Sequence, residues 1–533
     1  MSPAASKGSS FVRQASILAG ASLFVRLLGF AYRLPLTNLI GDEGNAYYIT
    51  AYTVYTFALV LSSGTMVAAV SRLTSERIAK GQYRNAHQLF KTAMKFCLCL
   101  GLITSTGLFF GANIIATQFN MPEMSYAIRA LSPGVLLGSV LAILRGYFQG
   151  MKTSIPTALS QVVEQIFKVA MSVWLAFLFF DTANLEFAAA GAALGTSISI
   201  LAALGIVAFL YALVSKDLRK RAKEDTNKRS HESHSFQIAV ILRTVLPMIV
   251  GVGLVSLGNS LDLSMATNRI YASGVFSEEE IVTLVGQFTG KFILLTTLPI
   301  SLSMALSAAV IPEITSSSVT MDTEAVRRKT NMAMRLSMIV SIPAAVGLSV
   351  LADPIVALLF PSHPEGGLLL RYGAISIIFL AMVQILTGVL QGIGRVGLPV
   401  ISMFFGLVTK VGVNYFLMPV PQINILGAVI STIACFAVAA FLNTFYLYKL
   451  TGILPHIGSM FVKPCIASAG MGVICVVVYY VMAMYTPNSI ATLTALFAGG
   501  FTYLLVMVLI SGFHPQDLSA LPLPKRLRQL MAR

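Results

Sequence analysis

The chain has 533 residues, of which 56% are hydrophobic and 11% are charged, and its mean hydropathy is +0.80. Repeated apolar runs of roughly 20 residues, the length that crosses a hydrocarbon core, exclude an ordinary soluble protein and indicate a polytopic membrane protein. A formal net charge of +16 would fit nucleic-acid binding in a soluble protein. Here, however, most basic residues lie in or beside alternate loops between apolar runs or in the tails, as in membrane proteins. We therefore predict no nucleic-acid partner.

Turn residues and charges predict an all-α chain with fourteen membrane spans. In chain order, the spans are approximately 12–39, 46–71, 89–118, 124–148, 155–180, 187–214, 237–270, 283–312, 331–359, 367–391, 397–418, 425–448, 461–484 and 489–512. The first span contains Arg26 and Arg33 and is followed by no small-residue cleavage site. We therefore predict a retained helix and not a removed signal peptide.

The longest hydrophilic stretch, Ser215 to Ser235, has the composition of a solvated linker. It predicts two lobes of six helices each, followed by two further helices. The predicted domains are an N-terminal lobe (1–214), a cytoplasmic linker (215–235), a C-terminal lobe (236–450), two additional helices (451–512) and a basic cytoplasmic tail (513–533).

The two lobes carry a repeat. Leu144–Val169 aligns without gaps with Leu386–Val411, pairing Lys168 with Lys410, and the same offset of 242 pairs Arg129 with Arg371. Six helices separate the copies, an even number, so the repeats are parallel. Two such lobes with a central site between them are a common plan of transporters.

The basic groups also predict the topology. The largest lie at Arg72–Lys95, Lys216–Arg243, Arg327–Arg335 and Lys525–Arg533, whereas the intervening loops are acidic. Because cytoplasmic loops are enriched in lysine and arginine, both termini are predicted to be cytoplasmic.

Enzyme chemistry has no clear pattern in the sequence. The five cysteines fall in apolar segments without metal-ligand spacing, and no Walker motif or arrangement of nucleophile, base and orienting residue stands out. We predict no metal, no cofactor and no catalysis; a membrane transferase with scattered carboxylates is the enzymatic alternative.

Several basic residues remain inside the predicted spans, where a lipid-facing charge costs about 2.5 to 3.5 kcal/mol. Arg26 and Arg33 are seven residues apart, which places them on one helix face about 10 Å from each other. They indicate an anion site, and hydrogen bonds to carbonyls of other helices are the structural alternative.

Glu164 and Lys168 are spaced i, i+4, so they could form a local ion pair or contribute to a site. The repeat counterpart Lys410 has no acid at the equivalent position and is followed on its face by Asn414. This asymmetry favours a cavity with net positive charge.

Two further groups belong to the second half. Asn259, Asp262 and Arg269 share one face of the seventh span, where a structural role and a site role are equally open. Lys291, in the eighth span, has no acid one turn away on its helix, which favours a ligand-binding or gating role over a structural one.

A net positive, water-filled cavity suits an anionic substrate. Arginine provides planar, two-pronged contacts to phosphate oxygens, and lysine provides a point charge. Tyr47, Tyr48, Tyr52 and Tyr55 could stack on sugars, although tyrosines at a membrane interface are the ordinary interpretation of such a run.

The stretches "VRLLGFAYRLPLTNLIGDEG" and "RGYFQGMKTSIPTALSQVVEQI", with the two-lobe layout, resemble the polysaccharide transporter branch of the multidrug/oligosaccharidyl-lipid/polysaccharide exporter superfamily. Within it, the chain resembles the stage V sporulation protein B and YtgP group, which is similar to the MurJ lipid II flippases. The resemblance implies a cleft that opens alternately to each side of the plasma membrane and a lipid-tail groove at the last two helices. It also implies arginines in the first helix that the flippases require, and Arg26 matches one of them.

These observations together predict a flippase for undecaprenyl-pyrophosphate-linked oligosaccharides, with lipid II or a related cell-wall precursor as cargo. Arg26, Arg33, Lys168, Lys291 and Lys410 are expected to hold the pyrophosphate, Glu164 to orient Lys168, and Asn259, Asp262 and Arg269 to complete the site. Membrane lipids, and Na⁺ or H⁺ as coupling ion, are the further expected partners. The alternatives are a cation-coupled multidrug exporter of the same superfamily and a non-transporting scaffold for envelope synthesis.

Overall fold

The computed structural model describes residue 21 and residues 24–181, 184–224, 232–319, 322–452 and 458–512. All secondary structure in these residues is helical, which confirms the predicted all-α class. The chain divides into two compact units, residues 1–267 and 268–533.

The first unit contains seven described helices and most of an eighth. A π-helical turn at Val60–Gly64 joins the second helix to the third. They are α1 (24–31), α2 (Arg33–Leu59), α3 (Met66–Ala79), α4 (Tyr83–Gln118), α5 (Met124–Gly150), α6 (Ile155–Leu178), α7 (Leu185–Glu224) and α8 (His234–Tyr271), whose last residues lie beyond the boundary.

The second unit contains ten helices within the described residues, and its π-helical turns lie at Phe288–Phe292 and Gly458–Val462. The helices are α9 (Glu278–Gln287), α10 (Ile293–Val319), α11 (Thr323–Val350), α12 (Ala352–Leu359), α13 (Gly367–Gly373), α14 (Ser376–Gly392), α15 (Gly397–Leu417), α16 (Leu426–Thr451), α17 (Lys463–Ala483) and α18 (Asn488–Leu509).

Eleven stretches of the described helices are long and apolar enough to cross a membrane, or twelve if α13 and α14, which meet at 51°, form one span. The predicted number of fourteen is not confirmed. One stretch, Arg33–Ala79, combines the end of the first predicted span with the whole of the second. The seventh predicted span lies in α8, several of whose side chains are outside the described residues.

Gly41 separates the first two predicted spans inside α2. Its φ of 69° and ψ of −175° are not helical, and the positive φ favours a residue without a Cβ. The hydroxyls of Tyr32 and Tyr48 lie 3.2 Å apart, although sixteen residues of straight helix would separate them by about 24 Å. The break at Gly41 therefore turns the chain back on itself.

The predicted linker Ser215–Ser235 is partly helical. Helix α7 continues to Glu224, because lysine, arginine and glutamate are good helix formers, and residues 225–231 lie outside the described residues. The division between the two units falls within α8, at Thr267 and Asn268, and not in this segment. The domain boundaries given above stay predictions.

The internal repeat reappears as matching contacts within each unit. Ser75 of α3 donates a hydrogen bond to the Gly150 carbonyl at 2.8 Å, and Thr315 of α10 donates one to the Gly392 carbonyl at 3.0 Å. Gly150 and Gly392 are 242 residues apart, but Ser75 and Thr315 are 240 apart. The repeat therefore extends to α3 and α10, where the offset between equivalent residues is 240 and not 242.

The core of the second unit is built on α10, α11 and α14. Its fully buried side chains are apolar and contributed by all three helices, as in Ile314, Met334, Met338, Ile385 and Leu390. This packing fixes α14, whose end precedes the helix that carries Lys410.

Candidate functional site

The most developed polar site of the first unit surrounds Lys168 of α6. Its ammonium lies 4.2 Å from the ring centre of Tyr52 and 5.8 Å from that of Tyr32. Tyr48 shares hydrogen bonds of 3.2 Å with Tyr32 and 3.3 Å with Thr196 of α7. Because aromatic faces carry negative quadrupole charge, this arrangement stabilises a cation without neutralising it.

The sequence produces this cluster in two steps. Tyr48, Tyr52 and Tyr55 are spaced i, i+4 and i+7, so they lie on one face of α2, and neighbouring ring centres are 6.1 and 5.6 Å apart. The turn at Gly41 then brings Tyr32 to the same face. Tyr48 and Tyr55 are buried inside the unit, which corrects the interpretation of the run as membrane-interface residues.

Arg33 adds a second positive charge to the cluster. It is partly buried and lies within electrostatic reach of the phenol groups of Tyr32, Tyr48 and Tyr52. The structure thus brings together Arg33 and Lys168, which the sequence assigned to one site although they are 135 residues apart. Tyr32 was missed as part of that site because its pairing with Tyr48 depends on the turn at Gly41.

Glu164 does not make the predicted ion pair with Lys168. Its Oε2 accepts a hydrogen bond of 2.7 Å from Nη2 of Arg145 in α5, and Nε of Arg145 donates to Ser160 at 2.8 Å. A planar guanidinium from the neighbouring helix can bind the carboxylate and the serine at once, which a flexible ammonium one turn away cannot. The expectation that Glu164 orients Lys168 is therefore wrong.

Arg145 was missed as a site residue because it lies near the end of its predicted span and was counted with the basic residues of the loops. Its side chain is only 14% exposed, compared with 30% for Glu164. In the sequence, only a comparison of the two halves marks the pair. The positions equivalent to Arg145 and Glu164 in the second half hold Thr387 and Gly406, so both charges are missing there together. The ion pair thus belongs to one half alone.

Lys291 is enclosed by the second unit. It is 1% exposed, and its ammonium donates hydrogen bonds of 2.7 Å to the His363 carbonyl and 2.9 Å to the Glu365 carbonyl. It lies in the π-helical turn Phe288–Phe292, 5.7 Å from the ring of Phe360. A buried ammonium bound to two carbonyls is not open to a ligand, so the structure favours a role in holding the 360–366 segment over the predicted binding role.

Lys410 and Asn414 lie one turn apart on α15, and both are buried, at 9% and 1% exposure. This agrees with the shared face predicted from the sequence. The counterpart lysines of the two halves therefore differ in surroundings, because Lys168 lies among tyrosines and Lys410 beside an asparagine.

The residues predicted on the seventh span lie in different environments. Asp262 is buried and Asn259 is exposed on α8. The guanidinium of Arg269 lies 3.9 Å from the ring centre of Tyr415, and its Nη2 donates to the Tyr415 carbonyl at 3.2 Å. Arg269 is thus held by an aromatic partner that the sequence did not predict, and a substrate role for these three residues stays a prediction.

Arg26 lies on α1 and is exposed in this structure. The seven-residue spacing places it two turns before Arg33, as predicted. Whether Arg26, Lys168 and Lys410 face one cavity between the two lobes stays a prediction.

A model of the polysaccharide biosynthesis protein family matches residues 11–318, more than half of the chain. The chain belongs to this family. A second model, MatE, matches residues 281–416. The family assignment covers the whole first unit apart from the N-terminal residues and therefore includes the Lys168 cluster.

Two relatives from Bacillus subtilis (strain 168) are similar along most of their length. Lipid II flippase MurJ is 26% identical over 528 residues, covering 93% of this chain and 94% of the relative. Stage V sporulation protein B is 26% identical over 432 residues, covering 80% and 81%.

Solved structures show the same fold. An inward closed conformation of lipid II flippase MurJ has a TM-score of 0.68 at 14% identity, covering 92% of this chain and 98% of that one. An inward-facing multidrug resistance MATE transporter has a TM-score of 0.66 at 18% identity, covering 80% and 94%. The protein is thus a multi-pass membrane protein with the all-helical MurJ and MATE fold, and one of the two relatives and both solved structures are named as flippases or transporters.

Proposed function

We propose that this protein moves an undecaprenyl-pyrophosphate-linked oligosaccharide, lipid II or a related cell-wall precursor, outward across the bacterial plasma membrane by alternating access. The observation that carries the proposal is the diversion of Glu164 to Arg145. It leaves the charge of Lys168 unpaired by that carboxylate, so the tyrosine-lined cluster of Lys168 and Arg33 has net positive charge. Such a site suits a pyrophosphate with attached sugars.

Each group has a distinct part in this proposal. Lys168 and Arg33, with Arg26 and Lys410, bind the pyrophosphate oxygens, and the partly exposed ring of Tyr52 stacks on the adjoining sugar. Glu164 acts on Arg145 and positions α6 against α5. Lys291 holds the 360–366 segment and is not a ligand residue. Energy comes from the membrane potential or from a gradient of Na⁺ or H⁺, and both termini are cytoplasmic.

The similarity to the MATE structure supports a second candidate, a cation-coupled multidrug exporter. An organic cation would need a site with uncompensated carboxylates, and the Lys168 cluster has the opposite charge. The two candidates therefore differ in the sign of the charge on the substrate.

Transport in proteoliposomes distinguishes them. We expect purified protein to flip a fluorescent pyrophosphate-linked lipid oligosaccharide and to leave a fluorescent organic cation untransported. Transport of the cation without flipping of the lipid would replace the proposal with the exporter. A scaffold would transport neither, and complementation of a strain depleted of its lipid II flippase would then fail.

A further inference from the structure

A basic cavity lies in the first unit, between α3 and α8. A cavity of about 410 Å³ is lined by Arg72 of α3 and by Val240, Arg243, Thr244 and Met248 of α8. Two of these five residues are arginines, and none is a carboxylate. Neither the family assignment nor the proposed transport site accounts for this cavity.

Two acids close to the cavity, Glu76 and Glu232, are engaged by other cations. Glu76, one turn from Arg72, accepts a hydrogen bond of 2.7 Å from Lys80. Glu232 accepts from Nε and Nη2 of Arg77 at 3.0 and 2.7 Å. Two arginines that line one cavity with no acid among the described residues of its walls repel each other, and an anion between them would remove that repulsion.

The walls of the cavity are held in place at the start of α8. Gln88 of α4 donates to the Glu232 carbonyl at 3.1 Å, and Thr92 bonds to His234 at 2.8 Å and to Gln237 at 2.9 Å. Gln237 is fully buried. This network fastens the start of α8 to α4 about two turns before Arg243, and the Arg77–Glu232 ion pair joins α3 to the same segment.

The lining also indicates what kind of anion fits. Guanidinium groups bind phosphate oxygens through two parallel hydrogen bonds, whereas the Thr244 hydroxyl already donates to the Val240 carbonyl at 2.8 Å. Val240 and Met248 add an apolar wall, which a free phosphate would not contact favourably. The combination suits a phosphate group attached to a hydrocarbon chain.

We propose that this cavity binds the phosphate headgroup of an anionic phospholipid, with Arg72 and Arg243 on its oxygens and Val240 and Met248 against its glycerol and upper acyl chain. The lipid joins α8 to α3 and thereby stabilises the first unit. The site lies outside the Lys168 cluster, so the proposal does not depend on which substrate is transported.

Thermal unfolding of the full-length protein tests the proposal. Protein in phosphatidylcholine-containing detergent micelles is titrated with phosphatidylglycerol, since a ligand that binds only the folded state raises the melting temperature. We expect a saturable rise for the wild type. For the double variant R72Q/R243Q we expect the half-saturating lipid concentration to increase at least about tenfold, which is the change in affinity expected when one good contact is lost. The control R328Q/R395Q removes two exposed charges elsewhere and should behave as the wild type.

Each outcome decides the proposal. An equal rise in R72Q/R243Q and the wild type would overturn it, because the lipid would then act elsewhere. A rise produced by inorganic phosphate alone, which also blocks the lipid effect, would assign the site to a soluble phosphate and overturn the lipid. If the double variant does not fold, the single variants R72Q and R243Q give the same decision.

Discussion

The ammonium of Lys168 lies over the ring of Tyr52, 4.2 Å from its centre, while Glu164 one turn earlier on the same helix is bound by Arg145. These different partners distinguish an ion pair that holds two helices together from a cation that lies among aromatic rings. They make the two residues of an ordinary i, i+4 pair experimentally distinguishable.

The first prediction uses that difference. We expect Lys168→Gln to slow flipping of a pyrophosphate-linked lipid by about 10- to 100-fold, which corresponds to the loss of one charge-assisted contact of about 1.5 to 3 kcal/mol. Lys168→Arg should retain part of the rate because it keeps the charge. The measurement is the initial rate in proteoliposomes at matched protein insertion. A rate for Lys168→Gln equal to that of the wild type would exclude Lys168 from the binding site.

The second prediction concerns Glu164. Glu164→Gln should lower the melting temperature, because the guanidinium of Arg145 loses its carboxylate partner, while the flipping rate per folded molecule falls far less than in Lys168→Gln. Arg145→Gln should have the same effect, and the double variant should be little worse than either single variant, as expected for coupled residues. Fully additive losses in melting temperature would show that Arg145 and Glu164 contribute independently and that their ion pair adds nothing to stability.

The third prediction separates two roles for Lys291. We expect Lys291→Met to destabilise the protein by on the order of 3 kcal/mol, since the carbonyls of His363 and Glu365 lose a charged donor. The half-saturating substrate concentration should stay that of the wild type when rates are normalised to folded protein. A raised half-saturating concentration without a change in melting temperature would restore the binding role that the sequence suggested.

The fourth prediction concerns Arg26. Arg26→Ala should slow flipping at least about tenfold at sub-saturating substrate while leaving the protein inserted and folded, and Arg26→Lys should recover part of the rate. Lysine restores the charge but not the planar pair of donors. Transport by Arg26→Ala as fast as the wild type would exclude Arg26 from the binding site.

The fifth prediction tests the repeat. A Cβ at Gly150 would lie 2.6 Å from Cβ of Thr74, and one at Gly392 would lie 2.8 Å from Cβ of Ile314. Alanine at either position should therefore destabilise its own unit by about 1 to 3 kcal/mol, as overpacking does. Gly107→Ala is the control, because nothing lies within 4 Å of its added Cβ. Comparable melting temperatures for all three variants would contradict the close approach of these helices.

Much of the candidate site was predictable from residue type and spacing. Lysine and arginine are rare inside apolar runs, so Arg33, Lys168 and Lys410 could be singled out without any structure, and the repeat assigned two of them to equivalent positions. The partners were not predictable in the same way. Arg145 and Glu164 are 19 residues apart, and the carbonyls that bind Lys291 are 72 and 74 residues from it.

By itself, the sequence determined that this is an all-helical membrane protein with an internal repeat. The length and composition of apolar runs are local properties, and they decide directly whether a segment can span the bilayer. Only the tertiary structure decided which charges are paired. A buried charge takes whichever partner has the better geometry among all the helices around it, and those neighbours are set by turns such as that at Gly41 and by packing, not by spacing along one helix. That is why Glu164 was assigned to Lys168 from the sequence and is bound by Arg145 in the folded protein.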